Sequence, residues 1–174
     1  LMLKEWSRSQ GISLSKLPTF SIDNHRVSST WIRETLSLSD FSLAKKLLGR
    51  PYSFEGKVVH GNRLGRSIGF PTANIWLPKN NLPIKGVFSV KISIDMSEFE
   101  GIANIGIRPT VGGISPVLEV NIFDFKKEIY GKRIKVEFVK KIRDEKKFDS
   151  LDDLKKQIAK DVNTAKEQLL DEKN

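Results

Sequence analysis

The 174-residue chain contains no cysteine and only two histidines, His25 and His60. The first absence excludes disulfides and thiolate metal sites and fits a reducing, cytoplasmic setting. The two histidines stand 35 positions apart in sequence, with no partner at ligand or triad spacing, and both read as structural, His60 at a strand end being also placed to touch a nucleotide. No apolar run approaches the roughly 20 residues that cross a bilayer, and no signal peptide is visible, so no membrane partner is expected. Low-complexity tracts and internal repeats are also missing. What remains is ordinary globular material, 39% hydrophobic and 29% charged, with a net charge of +9. A basic balance favours anions, whether nucleic acid, membrane surface or nucleotide phosphate. The chain begins with Leu1, and Met2 falls in a helix-like run, so it reads as a piece of something longer.

Residues 1–50 are helical in pattern and polar. Asp40 is placed to cap a helix carrying Phe41, Leu43, Ala44, Leu47 and Leu48, which Gly49 and Pro51 then stop. A domain boundary is placed there, giving segments 1–50 and 51–174. From Tyr52 onward the pattern changes to short strands divided by Gly and Pro: 54–60, 86–94, 102–107, 117–125 and 134–139. Several strands with no helix between them predict an antiparallel barrel or sandwich. Residues 150–170 form an amphipathic helix, capped by Asp149 or Ser150, with Leu151, Leu154, Ile158, Val162, Ala165 and Leu169 on one face. Packing against the outside of the barrel is its expected role. Trp6, Trp31 and Trp76 read as packing residues, with Trp76 also able to line a mouth.

The densest local signal runs from Gly56 to Asn74. A strand-like run ends in Gly61, Gly65 and Gly69, interleaved with Arg63 and Arg66, and Phe70-Pro71-Thr72-Ala73-Asn74 follows at once. Glycines let backbone N–H groups face an anion, and arginines add charge. In an extended segment Thr72 and Asn74 point to one side, offering the neutral oxygens that suit Mg²⁺ beside phosphates. The spacing is neither a Walker A loop nor a dinucleotide fingerprint. On residue types alone, a plain loop and a capped Thr-Ala-Asn turn explain the segment as well as phosphate binding does. Glu119 is the acid in an otherwise apolar strand. Alternation sets Leu118, Val120 and Ile122 on one side and Glu119, Asn121 and Phe123 on the other, leaving either a solvent-face carboxylate or a working one.

Gly65-Arg66-x-x-Gly69-Phe70-Pro71-Thr72-Ala73-Asn74 resembles the signature of the riboflavin kinase family. Gly86-Val87-Phe88, Asn104-Ile105-Gly106-x-Arg108-Pro109-Thr110, Leu118 to Phe125, Tyr130-Gly131 and Ile142 to Phe148 resemble further segments of that family, in order, over about 120 residues. The resemblance implies a six-stranded Greek-key barrel, mainly β, with a C-terminal helix. It implies Mg²⁺-dependent transfer of phosphate from ATP to the riboflavin 5′-hydroxyl, giving FMN. Thr72 and Asn74 become the metal pair. Gly61, Gly65, Arg66, Gly69 and Pro71 join them around the nucleotide. Glu119 becomes the proton-accepting base, and Arg143 a flavin or phosphate contact rather than a surface partner of Asp144 or Glu145. Asn121 departs from the histidine often found at its position in the family. Two Pro/Gly-rich loops, 77–85 and 108–116, are candidate lids.

Val27-Ser28-Ser29-Thr30-x-Ile32-Arg33 resembles a motif near the end of bacterial FMN adenylyltransferase domains, where Ser29, Thr30 and Arg33 would meet ATP phosphates. Taken by itself, Ser28-Ser29-Thr30 is a helix N-cap. No His-x-Gly-His phosphate motif occurs in the chain, so the resemblance implies the kinase half of a bifunctional parent family without FAD formation. Two other classes are alternatives. One is a basic small-barrel nucleic-acid module, disfavoured by Glu119 taken to lie inside the barrel and by few stacking aromatics. The other is a flavin-binding barrel without catalysis. The expected partners are small molecules, with no nucleic acid, and the expected state is a monomer whose residues before about Ser39 pack loosely.

Overall fold

The computed structural model describes residues 2–15, 18–61, 64–77, 82–110 and 113–173. Arg63 lies outside them, as do parts of both candidate lids.

Six strands close into a barrel: β3 (Ser53–Val59), β4 (Ala73–Ile75), β5 (Gly86–Ile94), β6 (Ser97–Thr110), β7 (Gly113–Ile122) and β8 (Arg133–Arg143). Their order around the barrel is β3-β4-β7-β6-β5-β8, and every pairing is antiparallel. β5, β6 and β7 form a meander, and β8 returns beside β5, which is the Greek-key connection. Period-two alternation fills the interior. Phe88, Val90 and Ile92 from β5, Leu118 and Val120 from β7, and Ile134 and Val136 from β8 are buried. Each such side chain contributes about 1.5–3 kcal/mol by leaving water.

The expected strand set needs three amendments. β4, only three residues long, was not separated from the loop before it. The expected lid at 108–116 is the end of a long hairpin, in which Thr110 pairs with Gly113. Residues 64–67 form a short helical turn, α4 (Leu64–Ser67), where a glycine loop was expected.

Ahead of the barrel lie α1 (Met2–Ser9), a two-stranded ribbon of β1 (Ser21–Ile22) and β2 (His25–Arg26), α2 (Ser29–Ser37) and α3 (Phe41–Leu48). The ribbon was not expected. Asp23 and Asn24, at φ 50° and 61°, make the left-handed turn that joins its strands. Asp40 caps α3 as anticipated, its Oδ1 accepting from Leu43 N at 2.9 Å, and Gly49 ends it at φ 69°. α3 closes one end of the barrel. Phe41 meets Phe88 edge-on with ring centroids 5.8 Å apart and stacks with Phe138 at 6.1 Å. Leu36, Phe41 and Ala44 share one hydrophobic cluster with the barrel interior, so packing crosses position 50. Burial beside these rings pushes the Tyr52 phenol above its ordinary pKa. Trp6 and Trp76 are more than half exposed and do not serve the packing role expected of them.

α5 (Leu151–Asp171) lies on the outer face of the barrel, touching β5, β6 and β8. Ser150 is its cap. Ala165 and Leu169 are fully buried, whereas Leu151 is exposed and does not belong to the packed face. Asp161, which the apolar stripe passed over, is buried on that face instead. Ser89 Oγ donates to Gln168 Oε1 at 2.8 Å, and Gln168 Nε2 reaches Lys141 O at 3.5 Å, fastening the helix to the wall.

Candidate active site

β4 and the turn before it set the first functional side chains. The loop folds back on itself, with Phe70 N donating to Gly65 O at 2.8 Å. The glycines serve close approach here. A Cβ on Gly65 would strike Phe70 O and come within 3.3 Å of Thr72 Oγ1, and one on Gly61 would enter the Asn74 side chain. Any larger residue would push the loop off Thr72 and Asn74.

Antiparallel register then collects polar residues on the outer face. Asn74 is opposite Glu119, and Glu119 is opposite Asn104, forming one row across β4, β7 and β6. Opposed residues in a sheet share a face, and Leu118, Val120 and Ile122 take the inner one. Glu119 is therefore on the outer wall, half-buried. This corrects its expected place inside the barrel and removes the argument against nucleic acid that rested on it. Asn121 is buried, and its Nδ2 donates to Pro71 O at 2.7 Å. The residue replacing the expected histidine thus ties the Pro71–Thr72 peptide to β7.

Two clefts meet at Thr72. The first, about 350 Å³, is lined by the apolar Val58, Val120, Ile122, Phe125 and Ile129, and by Thr72 and the charged Arg66, Lys126, Lys127 and Glu128. His60 stacks on Tyr130 with ring centroids 4.0 Å apart. The second, about 380 Å³, lies between the outer wall and α5. The barrel wall gives it Gly65, Phe70, Thr72, Val87, Ile102, Asn104, Glu119 and Asn121; Arg143, Glu145, Lys146 and Phe148 adjoin Leu154, Ile158 and Asp161 of α5.

Of the residues singled out in the sequence, Gly65, Thr72, Glu119 and Arg143 come together in the second cleft, and Arg66, Pro71 and Thr72 in the first. Gly61 and Asn74 pack against each other beneath the loop and line neither cleft. Gly69, at φ 87°, serves the turn. Ser28, Ser29, Thr30 and Arg33 line neither cleft. Ser28 Oγ caps α2 by accepting from Trp31 N at 3.2 Å, and Arg33 Nη1 reaches Ser29 Oγ at 3.5 Å. Arg143 does not pair with the side chain of Asp144 or Glu145. Its guanidinium grips Asp161, with Nη2 to Oδ2 at 2.8 Å. Sequence reasoning missed Asp161, although an acid between Ile158 and Ala165 on the packed face is a signal. It also gave no role to Lys126 and Lys127.

Among the described residues no group of three His, Cys, Asp or Glu side chains could hold a metal ion. A cation at the junction of the clefts would rest on neutral oxygens, of which the Thr72 hydroxyl borders both cavities. Hard oxygen donors in small number suit Mg²⁺, which keeps several waters and binds through phosphates, so the donor set fits that ion.

The riboflavin kinase (Flavokinase) family model matches residues 48–169, which takes in the barrel and most of α5. A bifunctional riboflavin kinase/FMN adenylyltransferase from Haemophilus influenzae is 52% identical over 166 residues, covering 95% of this chain and 54% of its own length. The chain thus spans about half the length of the curated relatives it matches. A Streptococcus pneumoniae crystal structure described as a macrolide-efflux protein superposes with a TM-score of 0.74 at 36% identity, covering 91% of this chain and 52% of that one. No helix among the described residues here is long and apolar enough to cross a membrane. A riboflavin kinase from Trypanosoma brucei superposes with a TM-score of 0.52 at 28% identity, covering 69% of this chain and 80% of its own. With the family match spanning most of the chain and the barrel, register and paired clefts as described, this chain belongs to the riboflavin kinase family.

Proposed function

We propose that the chain transfers the γ-phosphoryl group of ATP to the 5′-hydroxyl of riboflavin, giving FMN and ADP. The observation that supports this reading is the position of Thr72, which borders two clefts, one bearing the cations Arg66, Lys126 and Lys127 among apolar side chains and one set between the barrel wall and α5. A triphosphate suits the first, where Arg66, Lys126 and Lys127 offset its charge. A flat aromatic ring suits the second, between Val87, Ile102 and Phe148, with its ribityl chain running toward Glu119 and Thr72.

Phosphoryl transfer needs alignment and charge neutralisation more than covalent help from the protein. In this reading the Glu119 carboxylate orients the riboflavin hydroxyl and takes up its proton as the new O5′–P bond forms and the bond from Pγ to the β-phosphate oxygen breaks. Thr72 would hold Mg²⁺, with Asn74 able to join it only if the Gly61 backbone moves off its side chain, and the ion when bound supplies neutralisation of phosphate charge. Asn121 keeps the Thr72 peptide on β7, and the tight Gly65 turn keeps the loop against it. Arg143 forms part of the flavin wall.

The partners in this reading are two small molecules, and the working unit is a monomer acting in the cytoplasm, with residues 1–50 as a helical lead-in to a kinase unit of 51–174. Catalysis rather than flavin storage is favoured because the cleft that bears Arg66, Lys126 and Lys127 opens onto the same threonine as the cleft beside α5. Incubating the purified chain with riboflavin, ATP and Mg²⁺ tests the proposal; FMN and ADP in equal amounts are expected, and their absence overturns it. The same protein given FMN and ATP is expected to form no FAD, because Ser29, Thr30 and Arg33 line neither cleft and the chain carries no His-x-Gly-His.

A further inference from the structure

Asp161 is the one ionisable side chain among the described residues that is buried, with 2% of its surface exposed. It sits on α5 in the wall of the second cleft. Its carboxylate is fully engaged. Arg143 Nε donates to Oδ1 and Oδ2 at 3.0 Å each, Arg143 Nη2 to Oδ2 at 2.8 Å, and Gln157 Nε2 to Oδ1 at 2.9 Å. A buried ion pair is a weak source of stability, since apolar residues of similar size often serve a fold as well. Its value has to be sought in what the pair holds still.

The pair fixes the start of the segment that flanks the cleft. Arg143 is the last residue of β8, and residues 144–148 leave it without regular structure. The clamped guanidinium donates through Nη1 to Asp144 O at 2.9 Å, and its central carbon stands 5.7 Å from the centre of the Phe148 ring. Glu145 is seated against Gly106, where a Cβ would collide with its carboxylate. Glu145, Lys146 and Phe148 all line the second cleft. A guanidinium has five N–H groups. The bonds above engage Nε and one N–H on each terminal nitrogen, which leaves one on each for an acceptor in the cleft.

We infer that Asp161 is a positioning residue for the flavin: through Arg143 it sets the angle of the guanidinium and the path of residues 144–148, and so fixes one wall of the second cleft. The inference rests on riboflavin being the occupant of that cleft. Asp161 has no place in the first cleft, so its effect falls on riboflavin and spares the nucleotide.

A double-mutant cycle on the full chain tests this. Asp161→Leu and Arg143→Met are each expected to raise the riboflavin KM about tenfold, and the riboflavin Kd from flavin fluorescence equally, with the ATP KM within about twofold of wild type. If Asp161 acts through Arg143, the double variant is no worse for riboflavin than Arg143→Met alone, and its Tm recovers toward wild type because no charge is left unpaired. Additive losses approaching a hundredfold, or parallel rises in the riboflavin and ATP KM, overturn the inference. So does Asp161→Asn with an unchanged riboflavin KM, a variant that keeps the shape should the leucine variant fail to fold. A wild-type chain that binds no riboflavin overturns the functional reading as well, whereas a wild type that turns over beside an unaffected Asp161→Asn overturns the inference alone.

Discussion

Both clefts mix charged and apolar side chains: the first sets Arg66, Lys126, Lys127 and Glu128 beside Val58, Val120, Ile122 and Phe125, the second sets Arg143, Glu145 and Lys146 beside Phe70, Val87, Ile102 and Phe148. They differ in what builds them. The first cleft takes its charged groups from two connecting segments, the turn before β4 and the stretch after β7, set over side chains of β3, β4 and β7. The second is floored by strands and closed by a helix. Phosphate charge can be offset by mobile side chains at several positions, whereas a rigid ring needs a fixed surface to exclude water. Connecting segments can therefore carry the cations on one side of Thr72, while a helix and strands bound the cleft on the other.

This division can be sharpened by substitution. The largest effect is expected at the shared floor. Glu119→Gln keeps the shape of the side chain but removes its proton acceptance, and kcat should fall by about a hundredfold or more while both substrates still bind. A raised riboflavin KM with unchanged kcat would make Glu119 a plain binding residue of the second cleft.

Thr72→Ala should lower kcat about ten- to a hundredfold, with a smaller change in either KM, because in the proposed reading both ligands end at its hydroxyl. Wild-type turnover in this variant would break the idea that the clefts converge there. Asn74→Ala is a less clean probe. Asn74 is buried under Gly61, so its loss should also cost stability of about 1–3 kcal/mol, and a Tm measurement must accompany the rate.

Phe148→Ala should raise the riboflavin KM about tenfold and leave the ATP KM within about twofold. An equal effect on ATP would show that the two cavities are one. The smallest change is expected from Lys126→Ala/Lys127→Ala. Exposed cations contribute little each, so the ATP KM should rise about threefold at low salt, and the difference should fade as ionic strength increases. A salt-independent rise would mean that these lysines make buried contacts instead.

The barrel was legible in the sequence because alternation in β5, β7 and β8 is strict and turn residues separate the runs. β4 was not, because three residues are too few to show a period, and its pairing with β7 is set by the tertiary closure of the barrel. The β1–β2 ribbon was missed for the same reason: its strands have two residues each, and its Asp23-Asn24 turn signal stood inside a polar helical stretch. At the site, Gly65, Thr72 and Glu119 were legible from motif and resemblance. Which face Glu119 takes follows from the inward turn of Leu118, Val120 and Ile122, and the alternation already separates these from Glu119 and Asn121. The Arg143–Asp161 pair joins positions 18 apart in sequence on a strand and a helix, and nothing local to either residue announces the other.

A single threonine bordering two cavities has a thermodynamic corollary. If nucleotide in one cavity settles the loop around Thr72, it alters the work needed to admit flavin to the other. Linkage then requires reciprocity: by whatever factor ATP changes the affinity for riboflavin, riboflavin changes the affinity for ATP by the same factor. Cooperation between the two substrates would arise within one small barrel, with no second subunit and no domain movement.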